Sequence, residues 1–502
     1  MSERFEVIVV GSGAGGGLIA GELADAGRRV LLLESGPHRT AADFTRWEAH
    51  ANHDIWWPIA MAEGRAGSAD EPPLLLFRGH CVGGTTTINT KVALRPTEQD
   101  YEKWHAAGGL LGERGAPFAE EDLAAHLDRV QTRLGVRERA DWGTCVHTVE
   151  PGFRALGAQL EPVMSYTDHN CMRCGSCLQG CPTNAGKNTM NTYIHPPWAE
   201  GRLDLRAGCH VERVVIEDRG EGPQATGVQY VDGAGERHAV AAEVVVVAGG
   251  ALASPQLLLR SGVREAAAGS PSSALIGRHI GFHPARLVEG LFDEPQDAHM
   301  VYPISAHCMK FQRDEDGGFI VEAATIQDPI GFATALCRED GVPLWGRELT
   351  DLMRRYRYFS GLLTMVSDEN HGVAWIDDTG RDRYAYEWSE VERERNAASL
   401  QFAREVLKAS GAARVLHTGL LSTHVQGGCR MGSDPERSVV DARGESHDVR
   451  RLFVGDGSVV PCTLSVNPSL TIMALASRLA AYLADGEHGY FGGRRAAPAA
   501  AA

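Results

Sequence analysis

The clearest hydrophobic pattern in the chain lies at residues 5–34. A short apolar run over residues 5–10 predicts a buried strand, the alanine-rich amphipathic segment after it predicts a helix, and a second apolar run ending at Glu34 predicts another strand. The turn between the first strand and the helix reads Gly11-Ser12-Gly13-Ala14-Gly15-Gly16, which has the spacing GxGxxG. The pattern therefore predicts a βαβ unit.

This glycine turn is typical of dinucleotide binding. Gly11 allows a tight turn, Gly13 lets the backbone approach a pyrophosphate, and Gly16 lets the helix pack close to the sheet. The helix N-terminus is then free to hold the negative charge. Glu34, at the end of the second strand, is placed to accept hydrogen bonds from an adenosine ribose. A lone GxGxxG also occurs in ordinary βαβ units, but strand, helix and acid in register favour a dinucleotide.

A second buried strand is predicted near the middle of the chain. Residues 203–216 and 228–240 alternate like antiparallel strands, and they lead to the apolar run 243–250, which stops at a Gly-Gly pair. A helix follows at once, with Ser254 as its predicted N-cap and Pro255 in its first turn.

The carboxyl-terminal segments return to the first domain. His424 precedes a Gly-Gly-Cys-Arg-Met-Gly run, a short apolar run ends at Gly455-Asp456, and Asn467-Pro468 precedes a final apolar helix. An NAD domain is normally complete within its own half of the chain, whereas a larger dinucleotide can be gripped from both ends. The arrangement therefore favours FAD. An NAD-dependent dehydrogenase is the alternative, and it leaves this carboxyl-terminal block unexplained.

These patterns predict an α/β fold with two domains. The first is a Rossmann-like FAD-binding domain, and the second is a mixed α+β substrate domain that contains an antiparallel sheet. The predicted FAD-binding domain is discontinuous and comprises residues 1–96, 195–282 and 415–487; the predicted substrate domain comprises residues 97–194 and 283–414, with a cysteine-rich insert at 169–194, and residues 488–502 form a tail predicted to be disordered.

The most unusual stretch is a run of four cysteines, Cys171, Cys174, Cys177 and Cys181, followed by Pro182. Its spacing, C-x2-C-x2-C-x3-C-P, is the one by which bacterial ferredoxins hold iron and sulfide. An iron–sulfur cluster beside a flavin would give electrons a route to an acceptor other than oxygen. Structural zinc, a disulfide pair and a loop of free thiols are the alternatives.

Composition narrows the partners and the compartment. The net charge of −16 argues against nucleic acid or an anionic membrane surface as a partner, since both need a basic face. No apolar run approaches the roughly 18 residues of a membrane span, and a strand that begins at residue 5 leaves no room for a signal peptide. We therefore expect a cytoplasmic protein whose 11 cysteines are thiols or ligands rather than disulfides.

Taken in order, these motifs resemble those of the glucose-methanol-choline (GMC) oxidoreductases, flavoenzymes that oxidise alcohols. The glycine turn with Glu34 is similar to the family's FAD site, and Gly83-Gly84 through Asn89 is similar to the loop along the flavin. Residues 250–263 resemble a second family signature, although Arg264 stands where glycine is usual. The cysteine run resembles an insert found in a subset of members.

The resemblance also implies roles for individual residues. His424 stands where the family places its catalytic histidine, and Asn467 occupies the second catalytic position, which is histidine or asparagine. Ile88 precedes Asn89 where some members carry a histidine that bonds to FAD, so we expect non-covalent FAD. The residues expected to contact FAD are Gly11, Gly13, Ala14, Gly16, Glu34, Ser35, Gly83, Gly84, Thr85, Asn89, Val211, Ala248, Asp456, Gly457, Asn467 and Pro468.

The expected reaction is oxidation of a sugar, polyol, amino sugar or sterol-like alcohol to a carbonyl. His424 would act as general base, because a neutral imidazole is available near neutral pH, and Asn467 would donate a hydrogen bond to the substrate oxygen. The hydride would pass to flavin N5. The electron acceptor is open between oxygen and a redox protein. A flavin and iron–sulfur electron-transfer protein without alcohol chemistry is a further alternative.

Overall fold

The computed structural model describes residues 3–44, 74–324, 329–486 and 488–491, together with the backbone of residues 56–60. Residues 492–502 of the predicted tail lie outside these ranges. The first residues of that tail are packed: Phe491 is buried, and the guanidinium carbon of Arg28 lies 4.4 Å from the centre of its ring.

Helices occur throughout the part of the chain that the structure describes. They are α1 (Gly16–Asp25), α2 (Glu98–Gly108), α3 (Ala124–Leu134), α4 (Thr144–Ala155), α5 (His195–Ala199), α6 (Ala253–Arg260), α7 (Val263–Ala266), α8 (Pro271–Ala274), α9 (Pro329–Ala335), α10 (Gly346–Met353), α11 (Glu390–Ala409) and α12 (Ser469–Asp485). Among the described residues, none of them combines the length and the apolar character that crossing a bilayer requires.

The strands alternate with these helices. They are β1 (Arg4–Val10), β2 (Val30–Glu34), β3 (Trp56–Ala60), β4 (Leu75–Gly79), β5 (Arg137–Arg139), β6 (Glu161–Ser165), β7 (Leu203–Ala207), β8 (His210–Asp218), β9 (Pro223–Val231), β10 (Arg237–Val247), β11 (Arg278–Gly281), β12 (Ala285–Leu291), β13 (Ala306–Cys308), β14 (Phe319–Ala323), β15 (Leu336–Cys337), β16 (Phe359–Val366), β17 (Val373–Ile376), β18 (Asp382–Ala385), β19 (Arg414–Thr418), β20 (Leu421–Ser422), β21 (Gln426–Gly428) and β22 (Leu452–Val454).

The first large sheet has seven strands and contains the predicted βαβ unit. Strands β7, β2, β1, β10, β9 and β8 lie side by side in this order, and β22 pairs with β10. The pairs β7–β2, β2–β1, β1–β10 and β10–β22 are parallel, whereas β10–β9 and β9–β8 are antiparallel. The apolar runs of β1 and β10 are almost completely buried, as expected for central strands of a parallel sheet that is covered on both faces.

The second large sheet has eleven strands and supplies the antiparallel sheet predicted for the second domain. Its order is β3, β4, β20, β12, β16, β14, β13, β6 and β5, with β19 pairing both β12 and β15. The pair β4–β20 is parallel. Two small antiparallel sheets, β11–β21 and β17–β18, complete the α/β fold.

Three local features differ from the sequence predictions. Residues 203–216 form two strands, and the first, β7, is parallel to β2, because alternation indicates a strand but not its direction. Helix α6 begins at Ala253 rather than after an N-cap at Ser254, since the Ser254 hydroxyl accepts from Gly249 and donates to Asp456 instead. Strands β3, β4, β19 and β20 pair in the second sheet although the predicted boundaries placed nearly all of their residues in the first domain.

Candidate active site

The glycine turn between β1 and α1 is anchored to the end of β2. The N–H and the hydroxyl of Ser12 donate to Oε2 of Glu34 at 3.0 and 2.6 Å, and the N–H of Gly36 donates to Oε1 at 2.8 Å. The exposed hydroxyl of Ser35 also donates to Oε1, at 3.3 Å. The carboxylate thus fixes the turn, and the hydrogen bond from Ser35 is the longest of the four.

Two glycines of the turn show where the chain is closed and where it leaves space. A methyl group at Gly15 would lie 1.8 Å from the carbonyl oxygen of Gly455. A methyl group at Gly13 would meet no atom within 4 Å. The turn is therefore closed against the carboxyl-terminal segment at Gly15 and open in front of Gly13, where the motif predicts a pyrophosphate.

The predicted flavin loop lies directly against the glycine turn. The N–H of Gly83 donates to Oγ of Ser12 at 2.9 Å, and a methyl group at Gly84 would lie 2.8 Å from Cα of Gly13. From the end of the cysteine-rich insert, the hydroxyl of Thr189 donates to the carbonyl oxygen of Ser12 at 3.0 Å. The fold therefore brings three segments that are distant in sequence to one place.

Asp456 braces the carboxyl-terminal segment against the end of β10. Its Oδ2 accepts from the N–H of Gly250 at 2.7 Å, and its Oδ1 accepts from the N–H and hydroxyl of Ser458 at 2.8 and 2.6 Å. A methyl group at Gly457 would lie 3.3 Å from the carbonyl oxygen of Val425. Asp456 and Gly457 thus connect the first sheet to the segment that carries the predicted base.

The other predicted FAD contacts are held by contacts within the protein. Ala14 packs against the main core, and Val211 and Ala248 are buried at the first sheet. The Thr85 hydroxyl accepts from the N–H of Gly79 at 3.0 Å, and the Asn89 amide donates to the Tyr166 hydroxyl at 2.5 Å. The Pro468 carbonyl accepts from the N–H of Ile472 at 2.9 Å. Their contact with a cofactor stays a prediction.

His424 lies beside a histidine that the sequence did not single out. Its Nδ1 is 3.2 Å from Nδ1 of His283, which is buried, and Nε2 of His283 has no hydrogen-bond partner among the described residues. Burial lowers the pKa of His424 to about 4. Burial, and then the neighbouring His424, lower the pKa of His283 well below its usual range. Both rings are therefore neutral at neutral pH.

The contact between the two rings restricts their tautomers. A neutral imidazole has one N–H and one acceptor nitrogen, so only one of the two facing Nδ1 atoms carries a proton. If Nδ1 of His424 donates, its Nε2 is free to accept a proton. If Nδ1 of His283 donates, Nε2 of His424 already carries a proton and cannot act as a base. The tautomer thus decides which chemistry His424 performs.

The backbone at His283 is held in an unusual conformation. Its φ of 47° lies in the left-handed region, which non-glycine residues rarely adopt. Oδ2 of Asp368 accepts from the N–H groups of Phe282 and His283, and burial raises the pKa of Asp368 to about 6. Such a strained residue persists only when its surroundings enforce it, which indicates that the position of His283 is specified.

Asn467 faces a second residue that the sequence analysis missed. Its Oδ1 is buried without a hydrogen-bond partner among the described residues, and the same holds for both carboxyl oxygens of Glu322 on β14. Burial raises the pKa of Glu322 to about 8, and the interaction with Asn467 offsets this only in part. The sequence did contain one sign that Glu322 is special: it is the single acidic residue in the otherwise apolar run 319–324.

Gln426 ties the two predicted catalytic segments together. Its Nε2 donates to the carbonyl oxygen of His424 at 3.2 Å, and its Oε1 accepts from the N–H of Leu464 at 3.3 Å. The loop with His424 and the loop leading to Asn467 are therefore held by one buried carboxamide. His283 stands in no recognisable motif, and Gln426 lies in the carboxyl-terminal block without any sign of this role, so only the folded chain shows what these two residues do.

Glu322 makes the stability of the protein depend on pH. Its pKa of about 8 in the folded state lies above the ordinary value of about 4.3, so between these values the folded state holds a proton that the unfolded chain has released. The contribution of Glu322 to the free energy of unfolding is therefore expected to fall, by on the order of a few kcal/mol, as the pH rises from about 5 to 8. Glu322→Gln should remove most of this fall in guanidinium unfolding of the FAD-free protein.

Glu138→Gln provides the matched control for this experiment. Glu138 lies in β5 of the same sheet but is exposed, so the substitution should leave the pH dependence of unfolding as it is in the parent. An identical pH dependence in the parent and in Glu322→Gln would show that the buried carboxyl does not hold the extra proton.

The four cysteines of the predicted cluster lie in one loop before the π-helical turn Met190–Ile194. Cys177 begins a short 3₁₀ turn, Cys177–Gln179, and the other three lie in irregular backbone. All four are partly exposed, and none of them forms a disulfide in this structure.

Comparison with known proteins gives a consistent family match. Residues 40–285 match the amino-terminal GMC oxidoreductase profile, and residues 376–476 match the carboxyl-terminal one. The chain is 28% identical to long-chain-alcohol oxidase FAO4B of Arabidopsis thaliana, over 96% of this chain and 67% of that protein. It is 27% identical to 2-methyl-1,2-propanediol dehydrogenase of Mycolicibacterium austroafricanum, over 96% and 95% of the two chains.

A comparison with solved structures supports the same fold. Pyridoxine 4-oxidase from Mesorbium loti superposes with a TM-score of 0.73 at 20% identity, covering 95% of this chain and 99% of that one. At this identity the likeness concerns the fold. The family match gives no support to the iron–sulfur cluster predicted from the cysteine run.

Proposed function

The chain belongs to the GMC oxidoreductase family, and we propose that it is an FAD-dependent enzyme that oxidises an alcohol to a carbonyl. The observation that carries the proposal is a pair of neutral imidazoles, partly buried His424 and buried His283, whose Nδ1 atoms lie 3.2 Å apart. The segment that carries His424 is joined through Asp456 and Gly457 to the dinucleotide fold. Two of the similar proteins are named for acting on alcohols and a diol, and the third is named as a pyridoxine oxidase.

The residues present fit FAD. The open space in front of Gly13 lies near the N-terminus of α1, whose N–H groups and helix dipole would stabilise a bound pyrophosphate. A ribose hydroxyl would replace the Ser35 hydroxyl as a donor to the Glu34 carboxylate, because the hydrogen bond from Ser35 is long and Ser35 is exposed. The loop of Gly83 and Gly84 would lie along the flavin. When bound, FAD supplies the hydride acceptor.

His424 would remove the hydroxyl proton of the substrate. This role requires the tautomer in which Nδ1 of His424 donates to Nδ1 of His283, because Nε2 is then an acceptor. The lowered pKa keeps His424 unprotonated at neutral pH, so the base is present in almost every molecule. His283 acts by holding this tautomer and orienting the ring.

Asn467 would bind the substrate oxygen. Its amide is buried, its Oδ1 is unpaired, and a hydrogen bond from its Nδ2 would stabilise the negative charge that develops on that oxygen. A protonated Glu322 can donate to Oδ1 of Asn467 and so fix which way the amide faces. This arrangement satisfies two buried groups that otherwise lack partners.

The experiment that tests the proposal supplies a panel of alcohols together with either oxygen or an artificial dye acceptor. The panel contains linear primary alcohols, diols, sugars, amino sugars and sterols, and the carbonyl product is quantified. Formation of a carbonyl with oxygen alone would identify an oxidase, which we favour because two of the three similar proteins are named oxidases. Product only with the dye would identify a dehydrogenase.

A cytoplasmic location stays a prediction from the sequence.

FAD is expected to leave the protein completely on denaturation. Ile88, where a covalent attachment would form, is buried against Phe44 and Cys81 and has no nucleophilic atom. Acid or heat precipitation should therefore leave all the flavin absorbance in the supernatant, with FAD added to denatured apoprotein as the control for trapping. Yellow colour that stays with the washed precipitate would contradict non-covalent binding.

A further inference from the structure

The four cysteines of the insert line a single pocket at the protein surface. Cys171, Cys174, Cys177 and Cys181 border it together with Tyr302 and neighbouring residues, and the space within it, including its opening to solvent, is about 340 Å³. Four partly exposed cysteines that line one space are unusual for a loop kept only for packing, because single cysteines in a core are normally buried.

Two glycines allow the backbone of this loop to turn sharply and to pack closely against its neighbours. Gly175 and Gly180 have φ of 74° and 93°, values that favour glycine. A methyl group at Gly175 would lie 2.1 Å from the carbonyl oxygen of His299, and one at Gly180 would lie 2.2 Å from the ring of Phe44. Both glycines are therefore required for the close approach of the loop to its neighbours, which holds the thiols around the pocket.

The sulfur of Cys181 is surrounded by donors. The N–H of Gly186 donates to Sγ of Cys181 at 3.2 Å, and the hydroxyl of Thr183 lies 3.5 Å from the same sulfur. Hydrogen bonds to sulfur are among the means by which proteins stabilise and tune metal-bound thiolates. The donors are thus placed as they would be around a ligand sulfur.

A buried cation adjoins the same cysteines. Lys91 is completely buried, its stem packs beside Gly186 and Cys181, and its Nζ donates to the carbonyl oxygens of Thr86 and Thr87 in the flavin loop. A buried ammonium is stabilised by a nearby negative charge, and a metal cluster held by these cysteines would supply one.

The spacing of the sulfurs argues against a single metal ion. Four thiolates around one zinc ion lie about 3.8 Å apart, given bonds of about 2.3 Å. Among the described residues, the one set of three or more ligand atoms lying within 4.8 Å of one another is Asp232, Glu236 and His238, so no three of the four cysteine sulfurs meet that limit. A cluster with several iron atoms binds each thiolate at a different iron, and its sulfurs stand farther apart.

We propose that Cys171, Cys174, Cys177 and Cys181 ligate an iron–sulfur cluster whose negative charge is the counter-charge of Lys91. Through Lys91 the cluster is coupled to the carbonyl groups of Thr86 and Thr87, and hence to the loop expected along the flavin. The proposal goes beyond the proposed function and does not depend on it, since a bound cluster can be detected whether or not any alcohol is oxidised.

The test is metal and sulfide analysis of the full-length protein purified without air, before and after reconstitution with ferrous iron and sulfide. We expect iron and acid-labile sulfide in equal amounts, about four of each per chain, and no stoichiometric zinc. Cys174→Ser and Cys177→Ser should lose most of the iron. Cys337→Ser is the matched control: Cys337 is also a partly exposed free thiol, it lies in β15, and its loss should leave the iron content unchanged.

Lys91 is tested by a property that packing alone would not change. Lys91→Met should shift the reduction potential of the cluster to a more negative value, because the reduced, more negative state loses a buried cation beside Cys181, whereas Lys91→Arg should retain most of the parental potential. FAD content and thermal unfolding report whether each variant folds. If Lys91→Met does not fold, the cysteine variants still test the proposal. Zinc alone, no metal after reconstitution, or unchanged iron in both serine variants would overturn the proposal.

Discussion

Replacing His424 by alanine is expected to leave FAD bound but to slow anaerobic reduction of the flavin by about a hundredfold or more, the usual contribution of a general base. The imidazole lies beside His283 and is neutral because burial lowers its pKa to about 4, so its removal takes away the proton acceptor without removing a charge. The rate is measured by stopped-flow absorbance with an alcohol that the parent oxidises.

Two further variants make this result specific. Asn467→Ala should slow the reduction less than His424→Ala does, because it removes one hydrogen bond and leaves the base in place. His210→Ala, at an exposed histidine in β8, should reduce its flavin at the parental rate. If His424→Ala reduced its flavin as fast as His210→Ala, the assignment of the base would be wrong.

Gly13→Ala is expected to fold normally and to bind FAD at least about tenfold more weakly, a loss of about 1.4 kcal/mol in binding free energy. A methyl group at this position meets no protein atom within 4 Å, so the FAD-free protein has room for it. The same methyl group would fill the space in which the backbone approaches the pyrophosphate. FAD titration of the apoprotein, followed by fluorescence, measures the effect.

Gly15→Ala separates loss of cofactor binding from loss of folding. Its methyl group would lie 1.8 Å from the carbonyl oxygen of Gly455, so we expect a lower unfolding temperature of the FAD-free protein. Gly13→Ala should instead unfold at the parental temperature. Parental FAD affinity in Gly13→Ala would contradict the placement of the pyrophosphate in front of this residue.

The parts of the fold that the sequence predicted well are those with a strong local pattern. The run from residue 5 to Glu34 contains its own strand, turn, helix and strand, and the structure confirms them because each rests on neighbouring residues. The direction of β7 was not predictable in this way. Alternation along residues 203–207 is the same for both directions, and only the pairing with β2 decides it.

The site shows the same limit. His424 and Asn467 stand in motifs that the family resemblance identifies, and their roles stay predictions until they are tested. Glu322 reaches Asn467 because β14 lies inside the second sheet, and His283 reaches His424 because β20 pairs with the start of β12, just after His283. Both contacts depend on strand pairing over long sequence separations, which no local pattern specifies.

The central claim is that this chain uses bound FAD to oxidise an alcohol. The most direct test mixes the FAD-loaded protein anaerobically with each alcohol of the panel and follows the flavin absorbance, and then quantifies the carbonyl product. We predict that at least one alcohol bleaches the flavin and yields about one carbonyl per flavin reduced. A flavin that dithionite reduces but that no alcohol of the panel bleaches would contradict the claim.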